Sequence, residues 1–264
     1  VLFAPEHGVR GDKQAGTDVA SYVDDATNLP VYSLYCEDTT EAQKALSTLD
    51  TVIFDIQDVG ARFYTYQYTM TDTMIFCKNH GIKFIVLDRP NPLGGITAEG
   101  TILNREFSSF VGRFPTPTRS ALTIGEFASM MNETENINCD LAVIKMEGWT
   151  RELYYDDTDL VFIHPSPNIP TVDTVFSYIG TCIFEGTNLS EGRGTTKPFE
   201  IIGAPWLDSK KIIEKLGNQN GVILRECSFT PTFSDYKDTF CHGIQLHITD
   251  RSLFSPFEVG IRLS

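Results

Sequence analysis

Short, unbroken apolar runs recur along this chain and set the narrowest bounds on its fold. They are LFA (2–4), TVIFDI (51–56), IKFIVLD (82–88), LAVIKM (141–146), LVFI (160–163), GVIL (221–224) and IQLHI (244–248). Continuous rather than alternating apolarity is the mark of strands covered on both faces, as in a parallel sheet. Helical stretches lie between several of them. TYQYTMTDTMIFCKNH (65–80) runs up to Gly81, a helix stop. Thr123 with Glu126 has the spacing of a capping box opening TIGEFASMMNE, and Asp208 precedes SKKIIEKLG, closed by Gly217. This alternation predicts an α/β fold with a doubly wound sheet over residues 1–170. Beyond it, glycine-rich loops and β-like runs predict a smaller α+β domain over 171–264, the final VGIRLS reading as a strand. The chain opens inside a strand-like run without an initiator Met, so both ends read as trimmed.

Composition removes several function classes. With 35 acids against 21 bases the formal net charge is -14, which repels phosphate backbones and anionic membranes, so no nucleic-acid partner is expected. No apolar run approaches the roughly 18 residues of a membrane span. The six cysteines are scattered without CxxC or Cys/His zinc spacing, and most read as small buried hydrophobes.

Ligands of open α/β sheets sit outside the carboxyl ends of the strands, and here those ends are rich in chemistry. The first ends in Pro5-Glu6-His7-Gly8. The second carries Asp55, Gln57, Asp58, Gly60, Arg62 and Tyr64, the third Asp88, Arg89 and Asn91, and VFIHPSPNIPT carries His164, Ser166 and Asn168. Each also has a plainer reading. Asp55 could cap a turn, Arg62 and Arg89 could pair with Asp58 and Asp88, and His164 could be a packed residue. FEGTNLSEGRGTTKPFE (184–200) is a second concentration, with Glu185, Asn188, Glu191, Arg193 and three glycines. Glu191 reads there as a solvated loop residue. Glu185, following the apolar YIGTCIF, reads as a carboxyl held against the core, where a general acid gains a raised pKa.

No Walker loop, no GxGxxG after a strand and no GxSxG elbow is present, so no dinucleotide or other cofactor is implied. HxH and HExxH are absent too, and no metal ligand set is assigned; a magnesium or calcium site from Asp55, Asp58 and Asp88 stays open. Paired carboxylates among amides, arginines and aromatics (Tyr64, Tyr66, Trp206) are what glycosidic cleavage needs.

Taken in order, PEHGVRG, PVYSLY, FDIQDVGARFYTY, VLDRPNPLGG, EGTIL, SFVG, PSPNIPT, EGTNLSEGRGTTKPFEIIGAPW and CHGIQLHITDR resemble the DUF1343 family, the NamZ-type exo-β-N-acetylmuramidases. The resemblance covers nearly the whole chain. It implies a Rossmann-like domain, a smaller C-terminal domain and an active site in a cleft between them. It also implies metal-independent release of terminal N-acetylmuramic acid from peptidoglycan fragments, outside the cytoplasm, in cell-wall turnover. On the matching motifs, Glu6 is the candidate acid, with Glu185 and Asp58 the leading options for the second catalytic role. His7, Arg62, Tyr64, Asp88, Arg89, Asn91, Glu99, Asn168, Asn188 and Arg193 are implied substrate-binding residues. The arginines suit the lactyl carboxylate of muramic acid. A silent sugar-binding relative and a metal-dependent hydrolase of another acidic or phosphorylated substrate are the alternatives. Two departures stand out. The family strand before PEHG is missing, which would leave a sheet edge open, and TRSALTIGE has Ser120 and Ala121 where a histidine is expected.

Overall fold

In the computed structural model, which describes residues 1–264, the first apolar run forms β1 (Leu2–Ala4). With β2 (Tyr22–Asp24) and β3 (Leu29–Ser33) it makes a three-stranded sheet in the order β1-β3-β2, β1 parallel and β2 antiparallel to β3. After the short helix α1 (Thr40–Leu46), β4 (Thr51–Phe54), β5 (Lys83–Leu87) and β6 (Leu141–Ile144) form an all-parallel sheet in sequence order. Its crossovers are helical, α2 (Tyr66–His80) and α3 (Ile124–Thr134), the usual way that parallel neighbours are joined. These elements lie in one structural unit, residues 1–97, 103–115 and 120–167.

The second unit holds residues 98–102, 116–119 and 168–264. It contains α4 (Val172–Thr181), β7 (Ile201–Ala204), α5 (Ser209–Leu216), β8 (Val222–Phe229), β9 (Cys241–Ile248) and α6 (Pro256–Leu263). The strands form an antiparallel sheet in the order β7-β9-β8. Mixed α/β in the first unit and α+β in the second is the architecture expected. No helix is long and apolar enough to cross a membrane.

Local chemistry accounts for the helix ends. Gly81 takes φ 69° and stops α2, its N–H returning to the helix. At α3 the capping box closes in both directions: Thr123 Oγ1 accepts from Glu126 N at 3.2 Å, and Glu126 Oε2 accepts from Thr123 N at 3.0 Å. Thr123 Oγ1 also donates to Asp88 Oδ2 at 2.8 Å, tying the helix to the end of β5. Thr123→Ala should therefore lower stability by about 1–2 kcal/mol, read from the urea midpoint. An unmoved midpoint would mean that Asp88, which also accepts from Gly125 N at 2.8 Å, caps α3 by itself.

Three expectations are corrected. LVFI (160–163) is not a strand: Leu160, Val161 and Ile163 are 52%, 77% and 68% exposed. An apolar run becomes a strand only where a neighbouring edge accepts its hydrogen bonds, and this one lies between an acidic turn and Pro165. VGIRLS is helical, since Pro256 sits in the first turn of α6 and Val259, Gly260 and Leu263 share its buried face. A Cβ at Gly180 would lie 2.0 Å from Pro256 O, so α4 and α6 cross where only glycine fits. Finally, the strands of the parallel sheet are not covered on both faces. α2 and α3 cover one, while Ile53 and Ile144 stay 60% and 55% exposed on the other. β1 and β4 are both sheet edges, and both line a groove of about 760 Å³.

Candidate active site

Glu6 is presented by a tight reversal after β1. His7 and Gly8 take φ 70° and 73°, and Gly8 N donates back to Pro5 O at 3.1 Å. A non-glycine residue at positive φ is uncommon and is kept where its surroundings hold it. His7 is held: it is 4% exposed, and its Nδ1 donates to Lys13 O at 2.8 Å, which fixes the tautomer because a carbonyl only accepts. Its ring lies about 6 Å from those of Tyr64 and Tyr66. The Glu6 carboxyl is 7% exposed and ringed by donors, Thr65 Oγ1 to Oε2 at 2.6 Å and Gly16 N to Oε1 at 2.9 Å. The Tyr35 phenol also faces it; burial first and Glu6 second push that phenol up to about 12. Tyr35 therefore stays protonated and donating.

Asp58 lies in the turn between β4 and α2. Its Oδ2 accepts from Gly60 N at 2.7 Å, while Oδ1 is covered from solvent and has no partner. Burial pushes the carboxyl up to about 7, partly offset by backbone donors from Gly60 and Val59. Gln57 Oε1, on the preceding residue, is a second covered acceptor without a donor, although its Nε2 donates to Asp58 O and Pro90 O. The turn needs glycine at 60: φ is 71°, and a Cβ there would lie 2.5 Å from the Asn91 amide.

Tyr64 and Tyr66 stand between the two carboxyls. Their rings meet edge-on at 4.8 Å, Tyr66 feels the charges of both Glu6 and Asp58, and Tyr66 donates to Pro165 O at 2.7 Å. Burial raises both phenols, and Tyr64 also interacts with Ser166. Arg62 is buried next to them, and burial lowers its pKa. Gln67 Nε2 donates to the carbonyls of Ala61, Arg62 and Tyr64 and so fixes this segment against α2. Glu6, His7, Asp58, Arg62 and Tyr64 thus belong to one largely buried polar cluster. Thr65, Tyr35 and Gln57 complete it. They sit in the quoted motifs FYTY, PVYSLY and IQDV, but nothing in those motifs told the donors from core polar residues.

Other sequence candidates make framework contacts. Asp88 caps α3. Arg89 pairs with Asp55 at 2.6 Å, not with Asp88, because Asp88 is taken up by the helix end. Asn91 spends its amide on Leu122 O and Leu93 N. With Asp55 and Asp88 so engaged, no group of three or more His, Cys, Asp or Glu side chains is placed to hold a metal ion.

In the second unit Glu99 forms a buried pair with Arg119 at 2.6 Å, their side chains 10% and 3% exposed. Arg193 is clamped between Glu185 at 2.6 Å and Glu191, whose Oε1 lies 3.1 Å from Arg193 Nε, and it stacks on Phe199. Burial opposes the Arg193 charge, but the two carboxylates outweigh it and raise its pKa. Glu185 is half-exposed in this pair rather than pressed on apolar surroundings. Glu191, expected in solvent, is 1% exposed, because the loop folds inward around Arg193; burial raises its pKa. Asn168 is buried, and Asn188 is exposed with its carbonyl accepting from Tyr236.

Comparison with known proteins agrees across the whole chain. Residues 1–173 match the family model of the N-terminal part of the exo-β-N-acetylmuramidase NamZ, and residues 176–264 that of its C-terminal part. The chain is 53% identical over 262 residues to the peptidoglycan β-N-acetylmuramidase NamZ of Bacillus subtilis strain 168, covering 98% of this chain and 63% of that protein. Two crystal structures of DUF1343 family proteins from Bacteroides fragilis superimpose with TM-scores of 0.89 and 0.70, at 37% and 31% identity. They cover 99% and 98% of this chain, which covers 68% and 66% of theirs. The chain thus spans less than two thirds of the length of its curated relative.

Proposed function

The chain belongs to the NamZ exo-β-N-acetylmuramidase family, and from that premise we propose that it is a glycosidase releasing terminal N-acetylmuramic acid from peptidoglycan fragments. The observation that carries the mechanism is the contrast between two carboxyls flanking one tyrosine pair. Asp58 is pushed up to about 7 by burial and keeps an oxygen without a partner. Glu6 is surrounded by donors. A desolvated carboxyl suits the acid, and a carboxyl met by donors suits the anionic partner.

In this reading Asp58, whose raised pKa of about 7 keeps much of it protonated at neutral pH, delivers its proton to the leaving glycosidic oxygen. Glu6, which the sequence suggested as the acid, suits the anionic role better: a protonated carboxyl would face donors that it could not accept equally well. As a carboxylate it activates water or attacks the anomeric carbon. His7 holds the reversal, and Tyr64 and Tyr66 keep bulk water from the space beside both groups. The covered acceptors on Gln57 and Asp58 suit substrate hydroxyl or amide donors. The donors around Glu6 and the framework roles of Asp55 and Asp88 favour chemistry without a metal ion. A peptidoglycan substrate is consistent with activity outside the cytoplasm.

The test is release of N-acetylmuramic acid from a MurNAc–GlcNAc disaccharide by the purified chain. Release is expected, and it should persist in excess EDTA. Binding of the disaccharide without release would mark a silent sugar-binding relative, and loss of release in EDTA would point to a metal-dependent hydrolase.

A further inference from the structure

Within residues 103–115 three apolar side chains stand out to solvent: Phe107 (73% exposed), Phe110 (42%) and Val111 (49%). The segment is nonetheless held on both flanks. Arg105 pairs with Glu135 at 2.8 Å, and Arg113 pairs with Asp72. Ser108 Oγ donates to Arg113 O at 3.0 Å, and Ser109 and Gly112 exchange backbone hydrogen bonds at 2.9 and 3.2 Å. The tip is thus a braced apolar surface. Single exposed hydrophobic residues need no explanation, but a braced apolar cluster beside a buried polar one does.

Its inner side meets that cluster. The Phe110 ring lies 5.7 Å from the Tyr35 ring, tilted by 44°, and the Tyr35 phenol faces Glu6. Gly112 backs onto Arg62, where a Cβ would lie 3.9 Å from Cδ and Nε. The braced tip therefore packs on Tyr35 and Arg62, two residues of the cluster around Glu6, and presents carbon surface to solvent beside them.

We propose that Phe110, with Val111 beside it, forms the apolar wall of the sugar site and selects N-acetylmuramic acid over N-acetylglucosamine. This assignment rests on the muramidase reading. Muramic acid differs from glucosamine by an ether-linked lactyl group, whose methyl gives it carbon surface that the plain amino sugar lacks. An aromatic wall rewards that surface and contributes little to the proton transfers, so it acts on binding and not on the chemical step.

The experiment pairs calorimetric binding of free N-acetylmuramic acid and N-acetylglucosamine with steady-state kinetics on MurNAc–GlcNAc, for the wild type, Phe110→Ala and Phe110→Tyr. Phe110→Ala should weaken N-acetylmuramic acid binding and raise KM about tenfold, with kcat within about threefold of wild type. N-acetylglucosamine binding should stay unchanged and Phe110→Tyr should restore the wild-type values. Phe110 is partly exposed, so thermal unfolding should not move. Unchanged KM and affinity in Phe110→Ala would overturn the wall, as would equal losses for both sugars. Phe110-dependent binding of N-acetylmuramic acid without release from the disaccharide would remove the muramidase reading and leave the wall standing. Release with an indifferent Phe110 would do the reverse.

Discussion

Glu6→Gln should lower turnover of the disaccharide by about 10²–10⁴-fold, the usual contribution of a positioned acid or base, while the protein stays folded. Glutamine keeps the shape and one acceptor oxygen, so Thr65 and Gly16 retain one partner between them. What disappears is the charge. Near-normal turnover in this variant would move the anionic role elsewhere. Asp58→Asn should cost a similar factor, with a different signature in pH. The protonated form of Asp58 is the competent one, and burial pushes its pKa up to about 7. Wild-type activity should therefore fall as pH rises through about 7, and Asp58→Asn should lose that limb along with most turnover. A variant keeping the alkaline limb would assign it to another group.

The same burial has a stability consequence. A carboxyl whose folded pKa is raised binds its proton more tightly in the folded state, so its contribution is fully present below the unfolded value and is lost as pH rises through the folded one. Between about pH 4 and 7 the wild type should lose stability relative to Asp58→Asn, which carries no ionisable group there. Melting curves across that window check the sign. A constant difference would show that Asp58 titrates alike in both states.

Glu99→Gln should destabilise the protein by about 3–5 kcal/mol, because it leaves the Arg119 guanidinium buried without its counter-charge. Arg119 is enclosed: it lies 2.6 Å from Glu99, its guanidinium sits over the Phe176 ring, and Glu99 Oε2 also accepts from Phe257 N at 3.3 Å. Strand-like pairing of the Glu99 and Arg119 backbones fixes the geometry. For a chain of this size the loss corresponds to a drop in melting temperature of roughly 10 °C. Arg119→Met added to Glu99→Gln should recover part of it, since an apolar pair of similar volume avoids the unpaired charge. A single variant that melts normally but binds substrate poorly would return Glu99 to the sugar site, where the sequence motif had placed it.

Elements whose cause is local could be read from the chain directly. Gly81 stops α2, Thr123 and Glu126 box α3, and Asp208 and Gly217 bracket α5, because each depends on side chains within a turn of the backbone they satisfy. The strand ends likewise marked Glu6 after β1 and Asp58, Arg62 and Tyr64 after β4, which the structure brings into one largely buried polar cluster. Periodicity failed where the deciding partner is distant. LVFI has the apolarity of a strand but pairs with no sheet edge, and VGIRLS falls in helix α6 because Gly180 admits α6 against α4.

The roles of the charged residues divide in the same way. Glu99, Asp88, Glu185 and Arg193 look in sequence like site residues equal to Glu6, since a motif records which residue is present but not what it faces. Long-range contacts assign Glu99 to Arg119, Asp88 to the end of α3 and Arg193 to Glu185 and Glu191. The sequence alone determined that acids and aromatics collect at the strand ends of an α/β fold, because that follows from pattern and spacing. Only the tertiary structure decided which acid is ringed by donors and which is desolvated. Donors 10 and 59 residues away surround Glu6, and burial raises Asp58. Charge state is set by neighbours in space, which the order of residues does not record.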